Sequence, residues 1–181
     1  MIYSAVSVII VSEEPCDLSE EACVVKKLSA FLLSLLLLLC FTAARAQSFP
    51  CAAAGIVLDL PDSFTERPVS PGDDPDLVLK LRGRGMTVLG YVSYIGNMEA
   101  DAYLFQLFTG DETDSGEVVR GGVRMLYAMG VDSNGAYVMY TWIDPADSRK
   151  NVTLYFYYSE NDPSSLTVAE EAMDSLVFGE Y

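Results

Sequence analysis

The stretch GVRMLYAMGVDSNGAYVMYTWI, residues 122–143, decides the fold of this chain. Two runs rich in β-branched and aromatic residues, 122–131 and 136–143, flank the segment DSNG at 132–135. Asn-Gly is the strongest short signal for a two-residue hairpin turn, because both central positions of a type I′ turn have positive φ. We therefore predict a β-hairpin with Asn134-Gly135 at its turn.

The turn also predicts which residues of the hairpin lie opposite each other. Both faces carry apolar side chains, so we expect both faces to be covered by other parts of the chain. The predicted cross-strand pairs are Val131 with Val138, Met129 with Tyr140, Tyr127 with Trp142, Leu126 with Ile143, and Ala128 with Thr141.

Shorter apolar runs, bounded by Pro, Gly and Asp, predict further strands on either side of the hairpin. Residues 47–54 are predicted as a lead-in without regular structure. Segments 65–76, 109–116 and 144–150 are rich in turn-forming or acidic residues and are predicted as loops. The predicted strands are 55–60, 77–81, 86–95 and 152–158.

A helix is predicted near the end of the chain. Asp162 precedes Pro163, the arrangement of an N-cap followed by the first helical residue. Apolar residues then recur at helical spacing, and they would pack on the sheet: Leu166, Ala169, Ala172, Met173, Leu176 and Val177. These elements together predict an α+β fold, an antiparallel β-sheet meander covered by helices.

A second segment, 98–108, leaves two interpretations open. Asn97 and Gly110 are suitable caps for a helix, which favours that structure slightly. Residues 103–108 would also suit a buried strand, because their apolar side chains do not form one clean helical stripe.

The chain resembles the PsbP-like domains. A glycine-led strand beginning at Gly55 runs into Leu-Pro-Asp-Ser-Phe at 60–64, as at the start of those domains. The later order is also similar: a strand after Gly121-Gly122, an aromatic hairpin, a strand from Asn151, and a helix ending near 174–176. The resemblance spans 55–178 and implies an α/β/α sandwich with a binding or accessory role rather than catalysis. It carries over no site residues.

The N-terminal part has the pattern of a secretory signal. Residues 28–42 carry no charge, follow Lys26-Lys27 and lead into Ala44-Arg45-Ala46. This apolar stretch is shorter than the roughly 20 residues that span a membrane. We expect residues 26–46 to be a signal-peptide helix that is cleaved after Ala46. The single domain 47–181 would then be secreted or reside in the cell envelope.

Residues 1–25 do not fit a signal peptide, because five acidic residues precede the lysine pair. Either this segment is a disordered extension or a misassigned start, with translation beginning near Val24 or Val25, or the apolar stretch is an uncleaved anchor.

The predicted mature chain is acidic and poor in catalytic groups. It keeps 21 acidic and eight basic residues, a formal net charge of −13, which repels nucleic acid and anionic lipid. The chain has no histidine, the commonest general base and metal ligand. Cys51 would be its only cysteine, which excludes an intrachain disulfide. We expect no enzyme activity, no cofactor, no nucleic-acid partner, and contact with a membrane only through the signal segment.

Two charged segments are candidate ligand sites. Asp111, Thr113 and Ser115 occupy positions one, three and five of a calcium-loop pattern, but position twelve is a glycine. The simpler interpretation is an acidic turn. A second candidate is an anion patch, because Lys80, Arg82 and Arg84 alternate and would share one strand face. The simpler interpretation there is a solvated edge that discourages strand pairing between molecules.

Tyr137, Tyr155 and Tyr157 form a third candidate site. Aromatic residues at strand spacing usually belong to the core. If no helix covers this face, the three become an exposed aromatic surface for a partner. A glycosylation acceptor pattern also occurs at 151–153, where a strand is predicted to begin.

The sequence therefore predicts an exported, non-catalytic acidic domain with a binding or accessory role. Its partner, a protein or a glycan, and its oligomeric state are not indicated. The alternatives are a weak calcium-binding module and a small hydrolase that uses carboxylates alone.

Overall fold

The computed structural model describes residues 46–162 and 164–179. The predicted extension 1–25 and all of the predicted signal peptide except Ala46 lie outside these residues. The compact unit that contains them is Ala44–Tyr181. Its strands and helices are β1 (Ala46–Cys51), β2 (Ile56–Pro61), β3 (Thr65–Glu66), β4 (Leu77–Gly83), β5 (Met86–Tyr94), α1 (Ala100–Gln106), β6 (Asp114–Arg120), β7 (Val123–Asp132), β8 (Gly135–Asp144), β9 (Asp147–Tyr158), α2 (Ser164–Asp174) and β10 (Val177–Phe178).

The strands form two antiparallel sheets. The larger sheet has the order β3-β4-β5-β9-β8-β7-β6, and the smaller has the order β1-β2-β10. Strand β9 lies between β5 and β8, so it joins the first half of the large sheet to the hairpin half. The predicted α+β class is confirmed, with antiparallel sheets and two helices. The strands do not form the single meander that was predicted, because β1, β2 and β10 make a separate sheet and β5 pairs with β9. The signal-peptide helix that was predicted to precede it lies outside the described residues.

The main core includes apolar residues of the large sheet, the small sheet and α2. Trp142 and Phe156 from the large sheet and Leu58 from the small sheet are fully buried. Strand alternation produces this layer. Every second residue is buried in β2 and in the first five residues of β4 and of β5. Each large apolar side chain buried here stabilises the fold by about 1.5–3 kcal/mol relative to an exposed one.

Helix α2 begins as the sequence predicts. The Asp162 carboxylate accepts hydrogen bonds from the Ser164 N–H at 3.1 Å and from the Ser165 hydroxyl at 3.2 Å. The Ser164 hydroxyl donates to the same carboxylate. These bonds satisfy donors at the start of the helix, and they lower the pKa of Asp162, the Ser164 hydroxyl most of all. Ala169, Ala172, Met173 and Leu176 are buried as predicted. Val177 was predicted to face inward but is 52% exposed, because the helix has ended and Val177 lies in β10.

Of the two interpretations of 98–108, the structure contains the helix. Helix α1 buries Leu104, but its N-cap is Glu99 rather than Asn97, and no side-chain hydrogen bond caps it. An exposed ion pair of 2.6 Å between Asp101 and Arg124 links α1 to β7.

The predicted hairpin is present, but its register differs by two residues. Asp132 pairs with Gly135, so the loop residues are Ser133 and Asn134 rather than Asn134 and Gly135. The Asp132 carboxylate accepts the Asn134 N–H at 2.6 Å, and positive φ falls on Gly135 alone within the turn. An Asx turn therefore replaces the type I′ turn. The observed pairs are Val131 with Ala136, Met129 with Val138, Tyr127 with Tyr140, Ala128 with Met139, and Leu126 with Thr141.

Four segments predicted without regular structure contain strands. The predicted loop 65–76 begins with the short strand β3, which pairs with β4. The lead-in forms β1, which pairs with β2 along its whole length. The acidic segment 109–116 is a loop only as far as residue 113, because β6 begins at Asp114. The segment 144–150 contracts to a tight turn in which Asp144 pairs with Asp147, and β9 continues from there. Backbone pairing to a neighbouring strand outweighs the low β-propensity of these residues.

A buried polar network joins β8 to β9. The Asn151 amide donates to the Thr141 hydroxyl at 2.8 Å and to the Trp142 carbonyl at 2.9 Å. Its oxygen accepts the Thr153 hydroxyl at 3.1 Å. Asn151 is 1% exposed, so the glycosylation acceptor pattern at 151–153 is inaccessible in the folded domain.

Candidate functional site

Four tyrosines from three neighbouring strands lie together on the large sheet. Tyr91 is on β5, Tyr137 on β8, and Tyr155 and Tyr157 on β9. Tyr137 is directly opposite Tyr157, and Leu89 and Met139 flank Tyr155. Side chains at every second position share a face, so this register places the four rings side by side. We call these four residues the tyrosine surface.

The four rings contact one another closely. Tyr155 and Tyr157 are stacked, with centroids 5.6 Å apart and planes 10° apart. Tyr137 meets this pair at centroid distances of 5.7 and 6.0 Å, and Tyr91 meets Tyr155 edge-on at 5.9 Å. Stacked and edge-to-face pairs of this kind each add about 0.5–1.5 kcal/mol beyond area burial. The cluster therefore stabilises its own geometry and is preorganised.

The tyrosine surface is separate from the main core. All four rings are partly exposed, and none belongs to the buried cluster between the sheets. The sequence left two interpretations of Tyr137, Tyr155 and Tyr157, core or exposed surface. In the structure the three side chains are half-buried, outside the main core, and their use as a partner surface stays a prediction. Tyr91 was not predicted to join them. Its place on β5 follows the same alternation, but the sequence does not show that β5 pairs with β9.

Carboxylates surround the tyrosine surface. The Tyr157 hydroxyl donates a hydrogen bond of 2.9 Å to Asp132 in the β7–β8 turn. Asp74 is among the charges that act on Tyr91, and Asp111 and Glu112 are among those that act on Tyr137. These acidic residues come from three separate loops, so the rings lie in a field of negative charge.

Burial and the nearby carboxylates keep the phenol groups protonated. Burial, with smaller contributions from neighbouring tyrosines and carboxylates, raises the pKa of Tyr155 to about 12. The pKa of Tyr157 rises further, first through burial and then through its hydrogen bond to Asp132. Burial is also the largest cause of the raised pKa values of Tyr91 and Tyr137. The surface therefore presents neutral phenols with acceptor oxygens beside carboxylate side chains.

The three basic residues predicted as an anion patch are placed differently from one another. Lys80 forms an ion pair of 3.2 Å with Asp73, whose pKa is lowered chiefly by the Ser70 N–H and then by Lys80. Arg82 is exposed on the same strand face as Lys80. Arg84 lies beyond β4 in the turn before β5, with φ of +48°, and lines a small cleft beside α2. The structure does not gather the three side chains at one place, and the anion patch remains a prediction.

The residues of the predicted calcium loop do not form one loop. Asp111 is exposed, the Thr113 hydroxyl donates to the Met129 carbonyl at 3.2 Å, and Ser115 pairs with Ala128 inside the β6–β7 ladder. Within the described ranges, no cluster of three or more acidic or cysteine side chains has the arrangement of a metal site. Calcium binding here therefore stays a prediction.

A separate cleft of about 630 Å³ lies near the β8–β9 turn. It contains an ion pair of 2.7 Å between Lys150 and Asp144, whose side chains are 14% and 11% exposed. Asp144 also accepts the Ala146 N–H at 2.8 Å. Tyr94 lines the same cleft and is 70% exposed. The lysine is held by its partner, so this cleft offers a fixed structural pair rather than a free nucleophile or base.

The carboxylates whose pKa is shifted are all lowered, which is the wrong direction for a general acid. Hydrogen bonds lower the pKa of Asp73 and Asp162. Burial alone would raise the pKa of Glu112, but hydrogen bonds from Thr109 and Gly110 lower it overall. The hydrolase alternative gains no support from these groups.

The cysteine predicted for the mature domain is a free, buried thiol. Cys51 is 5% exposed, and burial raises its pKa. In the part of the chain that the structure describes, no helix is long and apolar enough to cross a membrane.

Comparison with solved structures relates this chain to a known fold. The solution structure of cyanobacterial PsbP (CyanoP) from Synechocystis superposes with a TM-score of 0.55 at 11% identity, covering 76% of this chain and 95% of that one. The chain has a PsbP-like fold. The resemblance inferred from the sequence is thereby confirmed at the level of fold.

A second structure, from Bacteroides thetaiotaomicron, has a TM-score of 0.49 at 14% identity and covers 73% of this chain but only 48% of that longer one. No protein-family model matches the sequence, and no curated protein sequence matches it significantly. At these identities the PsbP-like likeness concerns the fold, and the tyrosine surface has to be interpreted from this chain's own residues.

Proposed function

We propose that residues 47–181 form an exported, non-catalytic acidic domain that binds a partner through the tyrosine surface. The observation that carries this proposal is the set of four partly exposed, mutually packed tyrosines bordered by acidic loops. Tyrosine is enriched among the residues that dominate binding energy at protein interfaces. A rigid, preorganised ring cluster also loses little side-chain entropy on binding.

The chemistry of the domain supports binding rather than catalysis. The chain has no histidine, and Lys150 is bound to Asp144 in an ion pair. The carboxyl groups of Asp73, Glu112 and Asp162 have lowered pKa values, which favours their ionised form. The carboxylates with lowered pKa are poor general acids near neutral pH.

Export is supported by the signal pattern at 26–46. N-terminal sequencing of the exported product tests it, and we expect the mature protein to begin at Gln47. A product that begins at Met1 would contradict cleavage.

Paired variants test the binding surface. The double variant Tyr137→Ser/Tyr157→Ser removes two rings of the surface, whereas Tyr94→Ser removes an exposed ring from the separate cleft. The wild-type domain and both variants are cross-linked in envelope and culture fractions of the source organism. We expect one cross-linked species to form with wild type and Tyr94→Ser and to be lost with the double variant.

Folding of each variant is checked by circular dichroism, and Tyr91→Ser serves as a second probe if the double variant unfolds. Equal cross-linking by every folded variant would refute binding at this surface. Turnover of a substrate by the purified domain would refute the non-catalytic role.

A further inference from the structure

The geometry of the rings limits what the tyrosine surface binds. The stacking of Tyr155 on Tyr157 turns one face of each ring towards the other ring. Tyr137 and Tyr91 approach at interplanar angles of 58–85° and occupy further ring surface. A flat ligand such as a sugar ring stacks on an open aromatic face. The packing of the four rings against one another leaves less aromatic face open for such stacking. Ring edges and hydroxyl groups are the parts left for contact.

The polar groups at the surface are mainly acceptors. The Tyr157 hydroxyl uses its proton in the bond to Asp132, so its oxygen is left to accept further bonds. The Asp132 carboxylate and those of Asp74 and Glu112 are acceptors as well, since a carboxylate has no proton to donate. A ligand that matches these groups must supply donors.

The charge of the surroundings has one sign. Five acidic residues come from the bordering loops: Asp73, Asp74, Asp111, Glu112 and Asp132. Two basic residues of β4, Lys80 and Arg82, lie on the same sheet face, and Lys80 is already paired with Asp73. Arg124 of β7 lies on this face as well and is paired with Asp101 and Glu117. The remaining balance is negative, so an acidic partner would be repelled and a basic one attracted.

We propose that the occupant of the tyrosine surface is a protein segment that carries lysine or arginine side chains. This inference rests on the proposed function and names the chemical class of its partner. The aliphatic stem of a lysine or arginine packs on the ring edges. Its ammonium or guanidinium group, which has donors and no acceptor, binds the Asp132 carboxylate and the phenol oxygens.

The test uses synthetic peptides and the domain 47–181, whose core lies within one compact unit. Three fluorescently labelled peptides of equal length carry Arg and Lys, Gln, or Glu at the same positions, and binding is followed by fluorescence anisotropy. We expect the basic peptide alone to bind, with an affinity that falls as salt is raised. Equal binding of the Gln peptide, or binding that is insensitive to salt, would overturn the inference.

Matched variants locate the contact. Asp132→Asn keeps the acceptor that holds the turn but removes the charge, and Asp62→Asn removes the same charge from an exposed residue between β2 and β3. We expect Asp132→Asn and Tyr157→Phe each to lower the affinity for the basic peptide by about two- to fivefold, the range of one exposed ion pair. Asp62→Asn should lower this affinity much less. Equal effects of Asp132→Asn and Asp62→Asn would mean that only net charge matters, which also overturns the inference.

The two proposals fail in different ways. If the double tyrosine variant loses its cross-linked partner while no basic peptide binds, the tyrosine surface stands and the basic class is wrong. If a glycan array rather than the peptides gives binding that depends on Tyr157, the occupant is a sugar and this inference fails. If the tyrosine variants alter neither cross-linking nor peptide binding, both proposals fail.

Discussion

Replacing Asn151 with aspartate should destabilise the domain strongly. The asparagine makes two donated hydrogen bonds, to Thr141 and the Trp142 carbonyl, and it is 1% exposed. Asn151→Asp keeps the size of the side chain but removes both donors and places a carboxyl group against two acceptors. An uncompensated charge at such a site costs about 3–5 kcal/mol.

The size of this cost sets the expected melting shift. Unfolding entropy of roughly 2.1 cal/mol/K per residue gives about 0.28 kcal/mol/K for the mature domain. The variant should therefore melt about 10–18 °C below wild type. Burial should also raise the pKa of the introduced carboxyl group above its unfolded value. The deficit should then be smallest at acidic pH, where the group is protonated, and should grow as the pH rises towards neutrality.

Urea unfolding followed by fluorescence measures this directly, because Trp142 is the single tryptophan and is fully buried. Asn97→Asp makes the same chemical change at an exposed turn and should cost less than about 0.5 kcal/mol. A loss below about 1 kcal/mol for Asn151→Asp, with an unchanged urea m value, would refute the view that the network is closed and buried.

Three further predictions concern packing, charge and pH. Gly83→Ala would place its new methyl group 2.7 Å from a backbone oxygen and should cost about 1–3 kcal/mol in chemical denaturation, whereas Gly72→Ala meets nothing within 4 Å and should be near neutral. Lys150→Ala breaks a largely buried pair and should cost about 3 kcal/mol, against less than about 1 kcal/mol for Lys80→Ala at a more exposed pair; equal costs would contradict the burial. Because the pKa of Tyr155 is raised, the fold keeps its full stability below pH 10 and loses about 2 kcal/mol of it by pH 12. In a phenolate absorbance titration, the absence of a tyrosine that ionises later than the others would contradict this prediction.

The sequence predicts elements whose signals are local. The Asp162 cap forms as predicted because its partners are two and three residues away. The hairpin was predicted with the correct faces, since a shift of two residues preserves alternation, but the turn depends on the Asp132 carboxylate rather than on Gly135 alone. Strand β6 was missed because Asp114, Ser115 and Gly116 resemble a loop, and only its pairing with β7 makes it a strand.

In the candidate site too, the sequence predicted the local features and missed those that depend on strands far apart in the chain. Alternation along β8 and β9 identified Tyr137, Tyr155 and Tyr157 as neighbours. Tyr91 was missed because its contact with Tyr155 depends on β9 lying between β5 and β8, and strands far apart in sequence carry no local mark of their neighbours. Asp132 was assigned to the turn, although the turn also places its carboxylate within reach of Tyr157.

The strand order has a consequence for the time at which this domain is able to fold. One edge of β5 pairs with β4, but its other edge has no partner until β9 has been synthesised. In the same way, one edge of β2 stays unpaired until β10, residues 177–178, has been synthesised. A ribosome therefore releases nearly all of the chain before either sheet is complete. If the domain is exported as proposed, a chain that has not yet produced β9 and β10 could complete neither sheet, and it would remain extended enough to pass through a membrane pore.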